Sequence, residues 1–144
     1  MRGCLETYCS ATGIAREAKK RLYLDHDNLL YKKIAGDIES VEAKDVFDAA
    51  KAGDEFSTDI ADFFCEHMAE GIGILLNTLN PEIIIFSGGV SKAGEILIEG
   101  VKKHLPKYAL RMTLDQLKFS IGELGEEAGI KGAAALVINL TNKQ

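Results

Sequence analysis

Tryptophan is absent from this sequence, proline occurs twice and cysteine three times. Three cysteines, Cys4, Cys9 and Cys65, are too few and odd in number for a disulfide framework, so a reducing cytoplasm is the simpler setting. No apolar run approaches the roughly 20 residues of a membrane span. Met1-Arg2-Gly3-Cys4-Leu5-Glu6 carries no apolar signal region, which argues against secretion. Basic clusters are missing and the net charge is −5, so nothing electrostatic favours nucleic acid or an anionic membrane as partner. There is no Gly-x-x-x-x-Gly-Lys-Ser/Thr loop and no Ser-His-Asp order with supporting context. Cys4 and Cys9 lack C-x-x-C spacing, and His26, His67 and His104 fall in unrelated segments, so spacing alone offers no zinc site.

What is present is an ordinary globular composition, 47% apolar and 27% charged, in 144 residues that suit one domain. Its organising stretch is Asn80 to Val90. Pro81 stops a long helical pattern, because its ring cannot continue the turn. Ile83-Ile84-Ile85-Phe86 then reads as a strand buried on both faces. Gly88-Gly89 follows, and an amphipathic pattern (Ile96, Leu97, Val101, Leu105) predicts a helix from Ala93 to Leu105, ended by Pro106. A strand, a glycine turn and a helix let a ligand approach bare backbone at the carboxyl end of a strand. A Gly-Gly pair alone is also an ordinary tight turn, and only this context favours nucleotide contact.

Before that stretch, Glu6 to Leu22 reads as one helix with a small-residue face of Ala11, Ala15 and Ala18. Its last turn holds Lys19, Lys20 and Arg21, the sign the helix dipole prefers. Leu29 to Ile34 and Ser40 or Val41 to Ala52 predict short helices. Asp54 to Leu79 predicts the longest one, with a narrow stripe of Asp59, Asp62, Glu66, Glu70 and Asn77 expected as a solvated face. Gly71 and Gly73 each weaken that helix by about 1 kcal/mol, which suggests close packing against a sheet. After it, Lys118 to Leu124 alternates like a second strand. A helix rich in Gly and Ala, from about Glu126 to Leu140, is expected to lie close to a sheet or a flat ligand. Two strands make a poor sheet, and the abrupt opening suggests a piece of something longer.

At the start, the dipole of the first helix would lower the Cys4 thiol and favour the Glu6 carboxylate. Taken alone, these read more simply as a frayed helix end with an ordinary first-turn glutamate. His67 reads as a core or interface residue, and Cys65 as a small buried hydrophobe.

Three segments together resemble the ROK family of sugar kinases and sugar-responsive repressors. Gly3-Cys4-Leu5-Glu6 with Ser10-Ala11-Thr12-Gly13-Ile14-Ala15 is similar to the end of the family's Cys-x-Cys-Gly-x-x-Gly-Cys-x-Glu signature and the helix after it. Asn80-Pro81-Glu82 through Ser87-Gly88-Gly89-Val90 is similar to its nucleotide-contacting strand and turn. Leu124-Gly125-Glu126-Glu127-Ala128-Gly129-Ile130-Lys131-Gly132-Ala133-Ala134 resembles its closing helix. The resemblance implies an α/β fold, the helix-rich carboxyl-terminal lobe of an actin-like, ribonuclease-H-like ATPase, with strands near 82–87 and 118–124. Residues 1–144 would then form a single domain, the incomplete carboxyl-terminal lobe of a two-lobe kinase.

The resemblance further implies Glu6 as a sugar-hydroxyl contact, Gly88 and Gly89 as the nucleotide turn, and Cys4 as the last cysteine of a zinc site that this chain does not complete. ATP with Mg2+, a hexose such as glucose and a homo-oligomeric state would belong to the full-length protein. The family's Asp-x-Gly-Gly-Thr loop, catalytic Asp and Glu-x-x-His motif do not occur in these 144 residues. The expectation is therefore a glucokinase-like fragment without a catalytic residue of its own, inactive alone. The alternatives are a fragment of a sugar-responsive repressor or a non-catalytic self-association module.

Overall fold

The computed structural model describes residues 3–141. Its axis is α5 (Glu55–Leu79), 25 residues and so about 37 Å long. Asp54 caps its start, its carboxylate accepting from the Ser57 N–H and hydroxyl at 3.1 and 2.6 Å. Asn80 closes it in the left-handed conformation (φ 46°), and its N–H donates to the Leu76 carbonyl before Pro81 turns the chain away. Ile60, Phe64, Cys65, Ala69, Ile72 and Leu76 are its buried stripe.

The expected helix over residues 6–22 is two helices. α1 (Leu5–Cys9) ends at Ser10, whose backbone is extended (ψ 166°), and α2 (Ala11–Leu22) starts after it. The Ser10 hydroxyl accepts from the Gly13 N–H at 3.0 Å, so a local cap competes successfully with a continuous helix. α2 places Ile14, Ala18 and Leu22 in the core, beside Val46 and Phe47 of α4 (Ala43–Lys51). Between them, α3 (Leu29–Lys33) is tied to α5 because the Leu29 N–H donates to Asp54 Oδ1 at 3.0 Å.

Past Pro81, β1 (Ile83–Phe86) pairs in parallel with β2 (Lys118–Ile121), Ile84 opposite Phe119 and Phe86 opposite Ile121. Both strands stop short of the predicted 82–87 and 118–124. Phe86 is buried and its ring stacks 6.0 Å from Phe119, but Ile83 and Ile85 on the opposite face are 45% and 58% exposed. The expectation of a strand buried on both faces therefore fails within the described residues: strand side chains alternate, and only one face is covered.

A 3-10 turn (Gly89–Ala93) leads to α6 (Glu95–His104), so the helix starts two residues later than predicted, after Gly94 at φ 66°. Pro106 lies inside a further 3-10 turn, Leu105–Lys107. α7 (Arg111–Leu114) was not predicted; it is one turn long, too short for a periodic signal. α8 (Ala128–Thr141) closes the described chain. It does not lie close to the sheet as its small residues suggested. Ile130, Leu136, Val137 and Ile138 are exposed, and a Cβ built at Gly129 or Gly132 would meet nothing within 4 Å.

Two more expectations about α5 are corrected. Its polar stripe is a tether and only partly a solvated face. Asp62 accepts from Lys103 (2.7 Å) and His104 (2.8 Å), and Glu66 accepts from Lys107 (2.8 Å) and the Tyr108 hydroxyl (3.2 Å). Asn77 brackets the Tyr108–Leu110 backbone. Gly71 and Gly73 do mark close packing, though not against a sheet: the Leu5 side chain fills the space of a Gly71 Cβ, and the Tyr108 backbone that of a Gly73 Cβ.

Candidate nucleotide and sugar site

The two strands run parallel, so their carboxyl ends meet, and a glycine turn leaves each. Gly88 has φ 76° and Gly125 φ 51°, conformations that side chains resist. Neither would find an atom within 4 Å of an added Cβ, so open space and bare backbone coincide there. The Ser87 hydroxyl donates to the Gly125 carbonyl at 2.9 Å and the Gly88 N–H donates to it at 3.4 Å. One carbonyl thus joins both turns.

From this edge a hollow of about 620 Å³ opens between α2 and the start of α4. Gly89 and Lys92 form one wall. The small side chains of Ala11, Ala15 and Ala43 form another, and Arg16 and Lys19 stand on the rim. Three cations, Arg16, Lys19 and Lys92, and one carboxylate, Glu42, are thus among the residues that line it. Lys19 is held in place by Glu39, through its carbonyl (2.7 Å) and Oε2 (3.0 Å), and Tyr23 donates to the same carboxylate at 2.8 Å.

Glu6 and Cys4 are not in the walls of this hollow. Both are exposed at α1. Hydrogen bonds from Thr7, first its hydroxyl (3.6 Å from Sγ) and then its N–H, hold the Cys4 thiol below its ordinary value. The direction is the expected one, but the cause is these bonds. Burial, with a smaller push from Glu70, raises the Cys9 thiol to about 12; burial, then Asp62, raises Cys65 to about 12. Cys4 is the exposed cysteine of the three, Cys9 is half-buried and Cys65 is buried. Among the described residues no group of three or more His, Cys, Asp or Glu is placed to hold a metal ion. The residues present therefore do not fit a complete zinc centre.

Although only five residues long, α1 is fixed from several sides. The Leu5 side chain sits in the notch left by Gly71. Tyr8 stacks on His67 with centroids 4.7 Å apart, and the His67 Nδ1 lies 2.9 Å from the Phe63 carbonyl. Half-buried and stacked, His67 is the packing residue its position suggested. The Thr7 carbonyl, one of the groups a helix end leaves unpaired, accepts from the Arg16 guanidinium. Gly13 passes so close that an added Cβ would lie 2.6 Å from that carbonyl.

Sequence reasoning found Gly88 and Gly89 as the turn but not the rest of the hollow. Arg16, Lys19, Val41 and Glu42 carried no ligand signal, because nothing local links residues 11–19 and 41–43 to residues 89–92. The face of small residues on α2 was the one visible hint.

This layout matches solved sugar-kinase structures in fold. A ROK family glucokinase from Streptomyces griseus, in complex with glucose and AMPPNP, superposes with a TM-score of 0.83 at 27% identity, over 94% of this chain and 45% of that one. A ROK family transcriptional regulator, a homolog of the E. coli MLC protein, superposes with a TM-score of 0.70 at 26% identity, over 83% of this chain and 29% of that one. The sequence pattern of the ROK family matches residues 1–140, and the chain belongs to that family. Among curated relatives, the glucokinase of Halalkalibacterium halodurans is 42% identical over 143 residues, covering 94% of this chain and 41% of the relative. The chain thus spans about two-fifths of the length of the relative it matches. No helix among the described residues is long and apolar enough to cross a membrane.

Proposed function

We propose that residues 3–141 supply the nucleotide-facing wall and one sugar-contacting carboxylate of a glucokinase-like ROK kinase, which transfers a phosphoryl group from ATP to a hexose. The hollow beside Gly89 carries the reading: small walls suit a nucleobase, and Arg16, Lys19 and Lys92 suit the charge of a nucleotide. Gly88 and Gly89 let backbone approach the ligand. Glu6 is an exposed, acceptor-only carboxylate on a fixed helix, which suits sugar hydroxyls. Bound Mg2+ would neutralise phosphate charge during transfer, and the described residues offer it no ligand cluster of their own. Cys4 would give a zinc centre a single ligand.

Transfer also needs a base at the sugar hydroxyl and groups that clamp the phosphates. The 144 residues contain no Asp-x-Gly-Gly-Thr phosphate loop, so on this reading the chain by itself is a binding half without turnover, one domain of a two-lobe, cytoplasmic enzyme. Ile74, Leu75 and Leu79 of α5 and the open face of β1 are exposed apolar surface, which favours a homo-oligomer. The resemblance to a regulator structure supports a second reading, a sugar-responsive repressor; the glucokinase relative at 42% identity favours the kinase. Calorimetric titration of the chain with ADP tests the pocket. Saturable binding supports it and an absence of heat contradicts it, while ATP-dependent glucose phosphorylation by the chain alone would refute its inactivity.

A further inference from the structure

One side chain belongs to both halves of the site. Arg16 stands on the rim of the hollow beside Gly89, and its Nη2 donates to the Thr7 carbonyl at the end of α1, one residue from Glu6. The geometry points to Arg16 as a positioning residue that couples the nucleotide hollow to the helix bearing Glu6. The inference rests on the nucleotide reading above but adds a link between the two ligands.

Three observations carry it. A five-residue helix cannot hold itself in water, so the orientation of Glu6 depends on contacts made by α1. Leu5 in the Gly71 notch and Tyr8 on His67 fix the helix against α5. From α2 it is met by the Arg16 side chain, which donates to the Thr7 carbonyl, and by the Gly13 backbone. Next, Ser10 breaks the chain between α1 and α2, so the link passes through the side chain and not through a continuous helix. Finally, Gly13 packs against the same Thr7 carbonyl so closely that no side chain fits between, and the carbonyl stays within reach of α2.

A guanidinium carries five N–H donors in a rigid plane. One nitrogen serves the Thr7 carbonyl, and the same residue is among those lining the hollow. A nucleotide drawing on the remaining donors reorients or stiffens that plane, and the displacement arrives at Thr7. Binding at one ligand site then biases the carboxylate of the other.

Backbone amide spectra of the 144-residue chain, titrated with ADP, test this. In the parent chain, shifts are expected at Gly89 and also at Thr7 and Tyr8. In Arg16→Met, which keeps the stem and removes the donors, Gly89 still shifts while Thr7 and Tyr8 fall silent. Arg16→Lys, which restores a cationic donor, recovers part of the response and serves as the second variant if Arg16→Met unfolds. A purely structural role would alter the ligand-free spectrum without abolishing the response to ADP. Equal shifts at Thr7 and Tyr8 in Arg16→Met, or none there in a parent whose Gly89 responds, would overturn the coupling alone. No response at Gly89 in the parent would overturn the nucleotide reading, and the coupling with it.

Discussion

Asp54 shows how much one side chain organises here. It is buried, caps α5, accepts the Ser57 hydroxyl and holds the first N–H of α3. Burial opposes its charge, but the bonds from Ser57 and from the Leu29 N–H outweigh that and keep its carboxyl below the ordinary value of about 3.9. A folded value lower than the unfolded one means stability that is present above the unfolded value and lost as pH falls through the folded one. Replacing Asp54 with Ala should cost about 1–2 kcal/mol at pH 7. The difference between variant and parent should shrink on acidification below about pH 4. Urea unfolding at pH 7 and pH 3 measures it; an equal difference at both pH values would show that the carboxylate charge is not what stabilises the cap. Sequence showed Asp54 only as the start of a helix. Its bond to α3, 25 residues away, had no local signal.

At the scale of elements, the long helix, the strand after Pro81 and the glycine turn were legible because each rests on a short-range rule: periodicity, proline geometry and the freedom of glycine. Ser10 was misread because its side-chain cap competes with propensity inside a run that otherwise favours helix. The acidic stripe of α5 was misread for a different reason. Its partners, Lys103, His104 and Lys107, lie about 40 residues later, on α6 and the turn after it, whose docking the pattern does not fix. Lys107 donates to the buried His104 at Nδ1, which assigns the ring proton to Nε2 and makes Asp62 its acceptor. Asp62→Ala leaves that buried donor without its partner and should cost about 1–3 kcal/mol. Asp59→Ala, on the same stripe but exposed, should stay within about 0.5 kcal/mol. Similar small effects in thermal unfolding would restore the view of the stripe as solvent-facing.

For the whole molecule, the described residues have a well-built side and an open one. The core of α2, α4, α5 and α6 is closed, with Phe64, Leu76, Leu97 and Val101 fully buried. Ile83 and Ile85 on the sheet, Ile130 and Leu136 on α8 and Leu79 on α5 are exposed. Sequence patterns marked these residues as apolar but could not show which would remain uncovered, since periodicity gives a face and not its partner. The exposed area predicts reversible self-association. Sedimentation velocity should show a mass that rises with concentration, together with binding of a dye for apolar surface. A concentration-independent monomer that binds no dye would argue against it.

The hollow beside Gly89, proposed for the nucleotide, also exists only at this scale, because α2, α4 and the turn after β1 each supply a wall. Photolabelling the chain with 8-azido-ADP, followed by peptide mapping, tests its role most directly. Label on segments 11–19 and 87–92, competed away by unmodified ADP, is the expected result. Label confined to other segments, or undiminished by competitor, would contradict the assignment of this hollow to the nucleotide.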